Sequence, residues 1–388
     1  MKKILMVSAQ YLPEVYGGAE QQCQKLSKRL ISKGHKVTIL TSRSSFRDDR
    51  ILNIAGVRIV RLYCSSPPQL LGRRSLSSFV WLFQSTVWSI INRKSFDVVH
   101  VHQAKFQAFV GTLISKLLRK KCIVKAGNAG THFDLLSLEK KKGIGKQLSQ
   151  YVIKNGDLFV AISDEISENY QSFGINQSRI FKTTNFVEQN ISFDAIQKIR
   201  EGMRKELKLN SSAKNILFCG RLEPQKNILT LVDSIHLAIE NGYQVELYIA
   251  GAGSLEKETI QKIETLRLTK YVHLLGYIDN TEHYYIACDF FLLPSISEGM
   301  SNALLEAMSY GCIPIASKVS GTVDILGACN SSVLMNRIDK EGILESLLLA
   351  IDNKLDDANH RSKIYNIVRE NYSFDVGSKT YTNLYESI

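Results

Sequence analysis

Short apolar runs alternate with stretches of helical periodicity from one end of this 388-residue chain to the other. Apolar strands separated by helices are the mark of parallel sheets covered on both faces. In the first half the runs predict strands near 3–9, 36–42, 57–63, 97–103, 122–128, 158–163 and 179–184. The pattern then restarts, with strands near 215–220, 245–250, 272–276, 289–294, 312–317 and 331–335. Residues 189–214 between them are polar and helix-prone, with Asn210-Ser-Ser212 as a loop signal, so a linker is expected there. Two α/β domains follow, at 1–188 and 189–374, since the length exceeds one typical core. The first helix, from Ala19, sets Cys23, Leu26 and Leu30 on one face and stops at Gly34. In the stretch 73–94, Leu76, Val80, Phe83, Val87 and Ile91 form a stripe predicted to face the core. Trp81 and Trp88 fall together on a different face, and cations flank both ends.

Composition narrows the class. A hydrophobic content of 44% with six prolines argues against disorder. The seven cysteines are odd in number and mostly embedded in apolar runs, as expected of reduced core residues in a cytosolic protein. No Cys/His cluster has zinc spacing, so no structural metal is expected. The N-terminal MKKILMVSAQ reads as a first strand rather than a signal peptide, and no run reaches the roughly 18 apolar residues that would span a bilayer. The net charge of +12 is unevenly shared. Residues 1–188 hold 29 Lys/Arg against 12 Asp/Glu, and residues 189–388 hold 20 against 25. A basic half suits an anionic surface or substrate, although solubility alone also accounts for it.

The richest chemistry follows the run Asp289-Phe-Phe-Leu-Leu-Pro294, in Glu298-Gly-Met-Ser-Asn-Ala-Leu-Leu-Glu306. On one continuous helix the two carboxylates would stand roughly 12 Å apart along the axis and about 80° around it. With Gly299 breaking the chain and Ser301 as N-cap, Glu298 lies in a loop and Glu306 a turn inside the helix. The helix start, including Gly299, Met300, Ser301 and Asn302, then suits a phosphate, while the carboxylates accept from sugar hydroxyls. A strand-to-helix turn with solvated acids meets the same spacing. After the strand near 215–220 come Arg221 and Lys226, a forked and a point cation five residues apart, able to converge on a diphosphate. After the first strand, Gly17 and Gly18 open a helix and allow backbone N–H groups close to an oxyanion. Ala250-Gly-Ala-Gly253 and the segment through Gly276 to Ile278 are further strand ends that suit packing or a nucleobase. His102 ends a strand, a place open to an acceptor contact or a structural role.

These segments, in this order and over nearly the whole chain, resemble the retaining nucleotide-sugar glycosyltransferases of family 4, of the polysaccharide-biosynthesis type. They are Tyr16-Gly-Gly-Ala-Glu20, Asp97-Val-Val-His-Val-His102, Ala161-Ile-Ser163, Asn185-Phe-Val-Glu188, Gly220-Arg-Leu-Glu-Pro-Gln-Lys-Asn227, Ala250-Gly-Ala-Gly253 and Glu298 through Glu306. The resemblance implies the GT-B fold, with two Rossmann-like parallel-sheet domains facing across a cleft and a closing helix at about 375–388 returning to the first. It implies that Arg221 and Lys226 hold the donor diphosphate, Glu306 the ribose hydroxyls and Glu298 the transferred sugar. Gly17 and Gly18 would face the same phosphates. The chain departs from many relatives at Lys125-Ala-Gly127-Asn128-Ala-Gly130-Thr-His132, where His132 is a candidate for the donor sugar, and at Phe186, where relatives usually have Gly.

The expected activity is transfer of a sugar from a nucleoside diphosphate sugar, uridine being the commonest nucleotide, to a glycan or polyprenyl-linked acceptor. No metal or cofactor is expected, because two cations and a helix end replace the ion. Two alternatives remain: a nucleotide-sugar epimerase of the same fold, and an inactive nucleotide-sugar or polyanion binder. Nucleic acid is not expected, since the cations do not alternate with aromatics in a recognisable module. The tryptophan face of 73–94 and the run Lys140-Lys141-Lys142 suggest docking on an anionic membrane, with tryptophans packed under a loop as the other reading.

Overall fold

The computed structural model describes residues 1–11, 13, 17–65, 68, 75–141, 143–327 and 329–388. The chain forms two compact units, Met1–Asn185 with Phe374–Ile388, and Phe186–Ser373. In the first unit the strands are β1 (Lys3–Val7), β2 (Lys36–Arg43), β3 (Ile51–Ile54), β4 (Val57–Tyr63), β5 (Val98–His102), β6 (Lys121–Lys125), β7 (Leu158–Ala161) and β8 (Ile180–Lys182). Their order is β3-β4-β2-β1-β5-β6-β7-β8, parallel except for β3 against β4. β3 was not foreseen because it is a four-residue edge strand without a continuous apolar run. The central strands carry apolar side chains on both faces and are buried accordingly, while the edge strand β8 buries only Ile180.

The first helix, Gly18–Ser32, buries Cys23, Leu26 and Leu30, and Gly34 beyond it takes a φ of +86°. That left-handed turn ends the helix where the glycine predicts. The closing helix, Phe374–Glu386, lies within the first unit. Its Tyr385 hydroxyl is 2.6 Å from His100 Nδ1, and Asp375 stands 3.8 Å from Arg29.

The helix Ser75–Ile91 overturns the expectation for its faces. Trp81 is fully buried and donates its indole N–H to the Thr41 carbonyl at 3.1 Å, and Trp88 is 6% exposed. Ser78, Ser85 and Ser89 complete the inner face. The stripe expected inside, Leu76, Val80, Phe83, Val87 and Ile91, is the exposed one, at 37–76%. Tryptophan has the larger area and an N–H that needs an acceptor, while serines let the helix approach its neighbours closely. The tryptophans are therefore core residues rather than an interfacial face. Arg73, Arg74 and Lys142 lie outside the described residues.

The second unit holds β9 (Lys214–Cys219), β10 (Val245–Ala250), β11 (Val272–Gly276), β12 (Phe290–Leu293), β13 (Ile313–Ser317) and β14 (Val333–Met335). The all-parallel order β11-β10-β9-β12-β13-β14 reverses between β9 and β12. Much of the stretch expected as linker is the helix Phe193–Glu206, which belongs to this unit. Ile196 packs with Ile286 and Tyr365, while Arg200 and Arg204 reach Asp289 at 2.5 and 3.0 Å. Those partners are distant in sequence, so local polarity alone reads as a linker.

Candidate functional site

In parallel sheets of this kind ligands collect beyond the carboxyl ends of the strands, where the strand order reverses. In the second unit that point lies between β9 and β12. β9 ends at Cys219 and the chain runs through Gly220 and Arg221 into a short turn, Pro224–Lys226. Asn227 follows with a φ of +56°, anchors its side chain on the Ile338 carbonyl at 2.8 Å, and starts the helix Ile228–Glu240. Gln225 splices this loop to the one after β12. Its side-chain amide donates to the Ser297 carbonyl at 2.7 Å, and its own carbonyl accepts from the Ile296 N–H at 2.8 Å.

The splice brings two predicted residues into contact. The Lys226 ammonium forms an ion pair with the Glu298 carboxylate, with the two side chains only 14% and 9% exposed. A pair so shielded keeps much of its Coulomb attraction. Ser301 caps the helix Asn302–Ser309, accepting from the Leu304 N–H at 3.3 Å, so Glu298 lies in the loop and Glu306 inside the helix. Burial pushes the Cys219 thiol up to about 11; the charge of Glu306 adds to that rise and that of Lys226 opposes it. Lys226, Glu298 and Glu306 thus gather around the end of β9. Arg221 is exposed at the start of the same loop, where its charge acts on Glu223. Hydrogen bonds from Ser254, one from its hydroxyl at 2.7 Å, hold the Glu223 carboxyl below its usual range.

Glycine makes this edge tight. A Cβ on Gly251 would meet the Gly220 carbonyl oxygen at 1.8 Å, and one on Gly321 would meet the Gly299 oxygen at 1.9 Å. Gly251 also donates to the Gly276 carbonyl at 2.7 Å, tying in the loop that carries half-buried Ile278. Gly299, Met300 and Ser301 are buried and Asn302 half-buried. Gly321 was missed in the sequence because its partner is 22 residues away, although its position at a helix start after β13 is a legible signal.

The first unit carries the remaining predicted residues. Gly17 caps the helix Gly18–Ser32, and the Glu20 carboxylate folds back so closely that a Cβ on Gly17 would sit 2.3 Å from it. Tyr16 lies outside the described residues. The loop after β6 is organised by buried Asp134, which accepts from the Gly127 N–H at 2.9 Å and the Asn128 amide at 2.8 Å. His132 lies exposed in the turn Gly130–His132, which Asn169 pins through the Gly130 N–H at 2.9 Å.

His102 is seated in the core at 1% exposure, against the expectation of an accessible acceptor contact. Neither of its ring nitrogens has a hydrogen-bond partner, and its ring lies 4.4 Å from that of His100. Burial pushes His100 down to about 3, with Lys125 adding to the effect, and lowers His102 strongly. Lys125, buried against the Tyr381 ring and donating to Asn185 at 3.0 Å, is itself pushed down to about 8 by burial. This cluster of titratable groups is invisible to motif reading, because β5, β6 and the closing helix converge only in the fold. Among the described residues no three His, Cys, Asp or Glu side chains group as a metal-ligand set.

Two family models match the chain. Residues 16–189 match Glycosyltransferase Family 4 and residues 199–370 match Glycosyl transferases group 1. An uncharacterized glycosyltransferase of Methanocaldococcus jannaschii is 24% identical over 99% of this chain and 98% of its own. The UDP-Gal:alpha-D-GlcNAc-diphosphoundecaprenol alpha-1,3-galactosyltransferase of Escherichia coli is 27% identical over 72% of this chain and 74% of its own. Anabaena HepE, solved with UDP and glucose, superposes with a TM-score of 0.79 at 17% identity, covering 100% of both chains. The catalytic domain of Arabidopsis thaliana starch synthase IV gives 0.79 at 16%, covering 100% and 99%. The fold is GT-B, with two Rossmann-like parallel-sheet domains.

Proposed function

Because the chain belongs to the glycosyltransferases that join a Family 4 domain to a group 1 domain, we propose that it transfers a sugar, with retention, from a nucleoside diphosphate sugar to a glycan or polyprenyl-linked glycan acceptor in surface-polysaccharide assembly. The observation that carries this reading is the shielded Lys226–Glu298 pair at the sheet reversal, beside Cys219 and within the electrostatic reach of Glu306. On donor binding the Lys226 ammonium turns from Glu298 to the diphosphate, and Arg221 closes on it from solvent. Glu298 is then free to accept from a sugar hydroxyl. Glu306 takes the ribose hydroxyls, and the capped start of Asn302–Ser309 faces a phosphate oxygen. Ile278 borders the nucleobase. Cations and helix start neutralise the leaving diphosphate, so the reaction runs without a metal. The diphosphate oxygen helps deprotonate the incoming hydroxyl on the same face. The Escherichia coli relative, named for UDP-Gal and a diphosphoundecaprenol acceptor, supports a UDP-sugar and a lipid-linked acceptor here. A polyprenyl acceptor in turn places the protein at the cytoplasmic face of an anionic membrane.

Mass spectrometry of the purified chain with a panel of nucleotide sugars and acceptors, in the presence of chelator, tests the reading. Acceptor-dependent product with the donor's anomeric configuration, read by NMR, is the expected result. Donor turnover that ignores the acceptor would instead mark an epimerase. Glu306→Ala should raise the donor KM, and Arg221→Ala should lower kcat more than roughly tenfold, about 1.4 kcal/mol of barrier. Unchanged kinetics in both variants would remove the site.

A further inference from the structure

The helix Ser75–Ile91 is turned inside out. Seven of its apolar side chains are exposed: Leu76 at 76%, Phe79 at 41%, Val80 at 37%, Phe83 at 70%, Val87 at 38%, Ile90 at 38% and Ile91 at 76%. At 100° per residue they fill one stripe about 120° wide. Two tryptophans and three serines occupy the packing face. A continuous apolar stripe of this length marks a surface that is covered in use.

The charges around the stripe identify what covers it. Ser75–Ile91 contains no charged residue. Of the cations on the elements packed against it, Phe106–Leu118 and β4, Lys116 is exposed and Arg58 half-buried, whereas Arg61 is buried 3.9 Å from Asp48 and takes no part in the rim. Arg93 and Lys94 stand exposed just beyond its end, and the nearest acid in that direction, Asp97, accepts from the Lys3 N–H at 2.9 Å. A second copy of the chain would set this basic rim against itself. An apolar stripe rimmed by cations instead matches an anionic lipid interface, where aliphatic and Phe side chains enter the acyl boundary and Lys/Arg meet headgroups.

We propose that the outward face of Ser75–Ile91, centred on Phe83, docks the first unit on an anionic bilayer, with the axis of the helix along the membrane plane. The inference deepens the proposed function by assigning the surface through which a lipid-linked acceptor is approached, and it inverts the tryptophan face that the sequence suggests. It does not depend on the transfer chemistry, because flotation needs neither donor nor acceptor.

The test is flotation of the full chain with phosphatidylcholine vesicles, with and without phosphatidylglycerol. The wild type should float with the anionic vesicles and be released by high salt. A Leu76→Ser/Phe83→Ser/Ile91→Ser variant should bind at least tenfold more weakly at an unchanged melting temperature, since all three side chains are already exposed. Phe83→Ser alone gives the same reading in smaller measure if the triple variant does not fold. Equal flotation of wild type and variants would overturn the proposal, as would no flotation of the wild type. A wild-type dimer that the variants abolish, without vesicle binding, would overturn it in favour of self-association. Transfer to a water-soluble acceptor, measured separately, reports whether the proposed function holds whichever way the surface behaves.

Discussion

The strand ends at the sheet reversal of the second unit and those beside the reversal of the first treat charge in opposite ways. In the second unit, at β9 and β12, Lys226 and Glu298 form an ion pair, at 14% and 9% exposure. In the first unit, whose order reverses between β1 and β5, His100 and His102 of β5 and Lys125 of the neighbouring β6 are shut in the core beneath Tyr381 and Tyr385 of the closing helix. Burial favours the neutral form of both histidines and lowers Lys125 to about 8, which leaves it largely protonated near neutral pH. A paired charge is ready to change partner when an anionic ligand arrives. A neutral imidazole in a dry core is there for packing, and protonating it is costly. The paired edge of the second unit is the proposed binding edge, while the buried cluster of the first packs against the last helix.

The largest break in this comparison is expected from Lys226→Ala. It removes the cation and leaves Glu298 shielded without its partner, so kcat should fall about 10²- to 10³-fold, a barrier of roughly 3–4 kcal/mol. A kcat within a factor of three of wild type would show that the pair is structural, like the cluster in the first unit.

Next in size is the acid response of that cluster. His100 has a folded pKa of about 3 against an ordinary 6.5, so below 6.5 the unfolded chain binds the proton first. Stability is full above pH 6.5 and is lost as pH falls toward 3, by on the order of 2–3 kcal/mol at pH 4.5. Thermal melts across that range should show the decline, and His100→Asn should make it shallower, with buried His102 keeping its own share of the acid loss. An acid slope identical in wild type and variant would assign the loss to other groups.

Smaller is the effect expected for Gly321→Ala. The new Cβ strikes the Gly299 oxygen, and the loop bearing Glu298 must shift, at a cost of about 1–3 kcal/mol in stability, with donor KM rising as well. A melting temperature and KM equal to wild type would mean that the helix beginning at Ser320 yields instead.

Much of the binding edge was legible because its signals are local. Ser301 caps three residues ahead of the N–H it accepts from, and Glu298 and Glu306 are sorted to loop and helix by Gly299 and that cap. Ion pairing of Lys226 with a residue 72 positions away was not legible, since a splice through Gln225 sets it. His102 shows the opposite failure, for a strand-end histidine reads as accessible until the closing helix covers its neighbourhood.

Strand positions, the restart of the pattern near 215, the capped helix at 302 and the charge asymmetry were determined by the sequence, because each depends on residues close along the chain. Tertiary structure alone decided which face of Ser75–Ile91 points inward, which titratable groups became dry, and how closely Gly321 approaches Gly299. Those outcomes turn on competition for the same interior space. Two tryptophans with an N–H to satisfy and serines small enough for close packing displaced an aliphatic stripe that periodicity by itself would have buried.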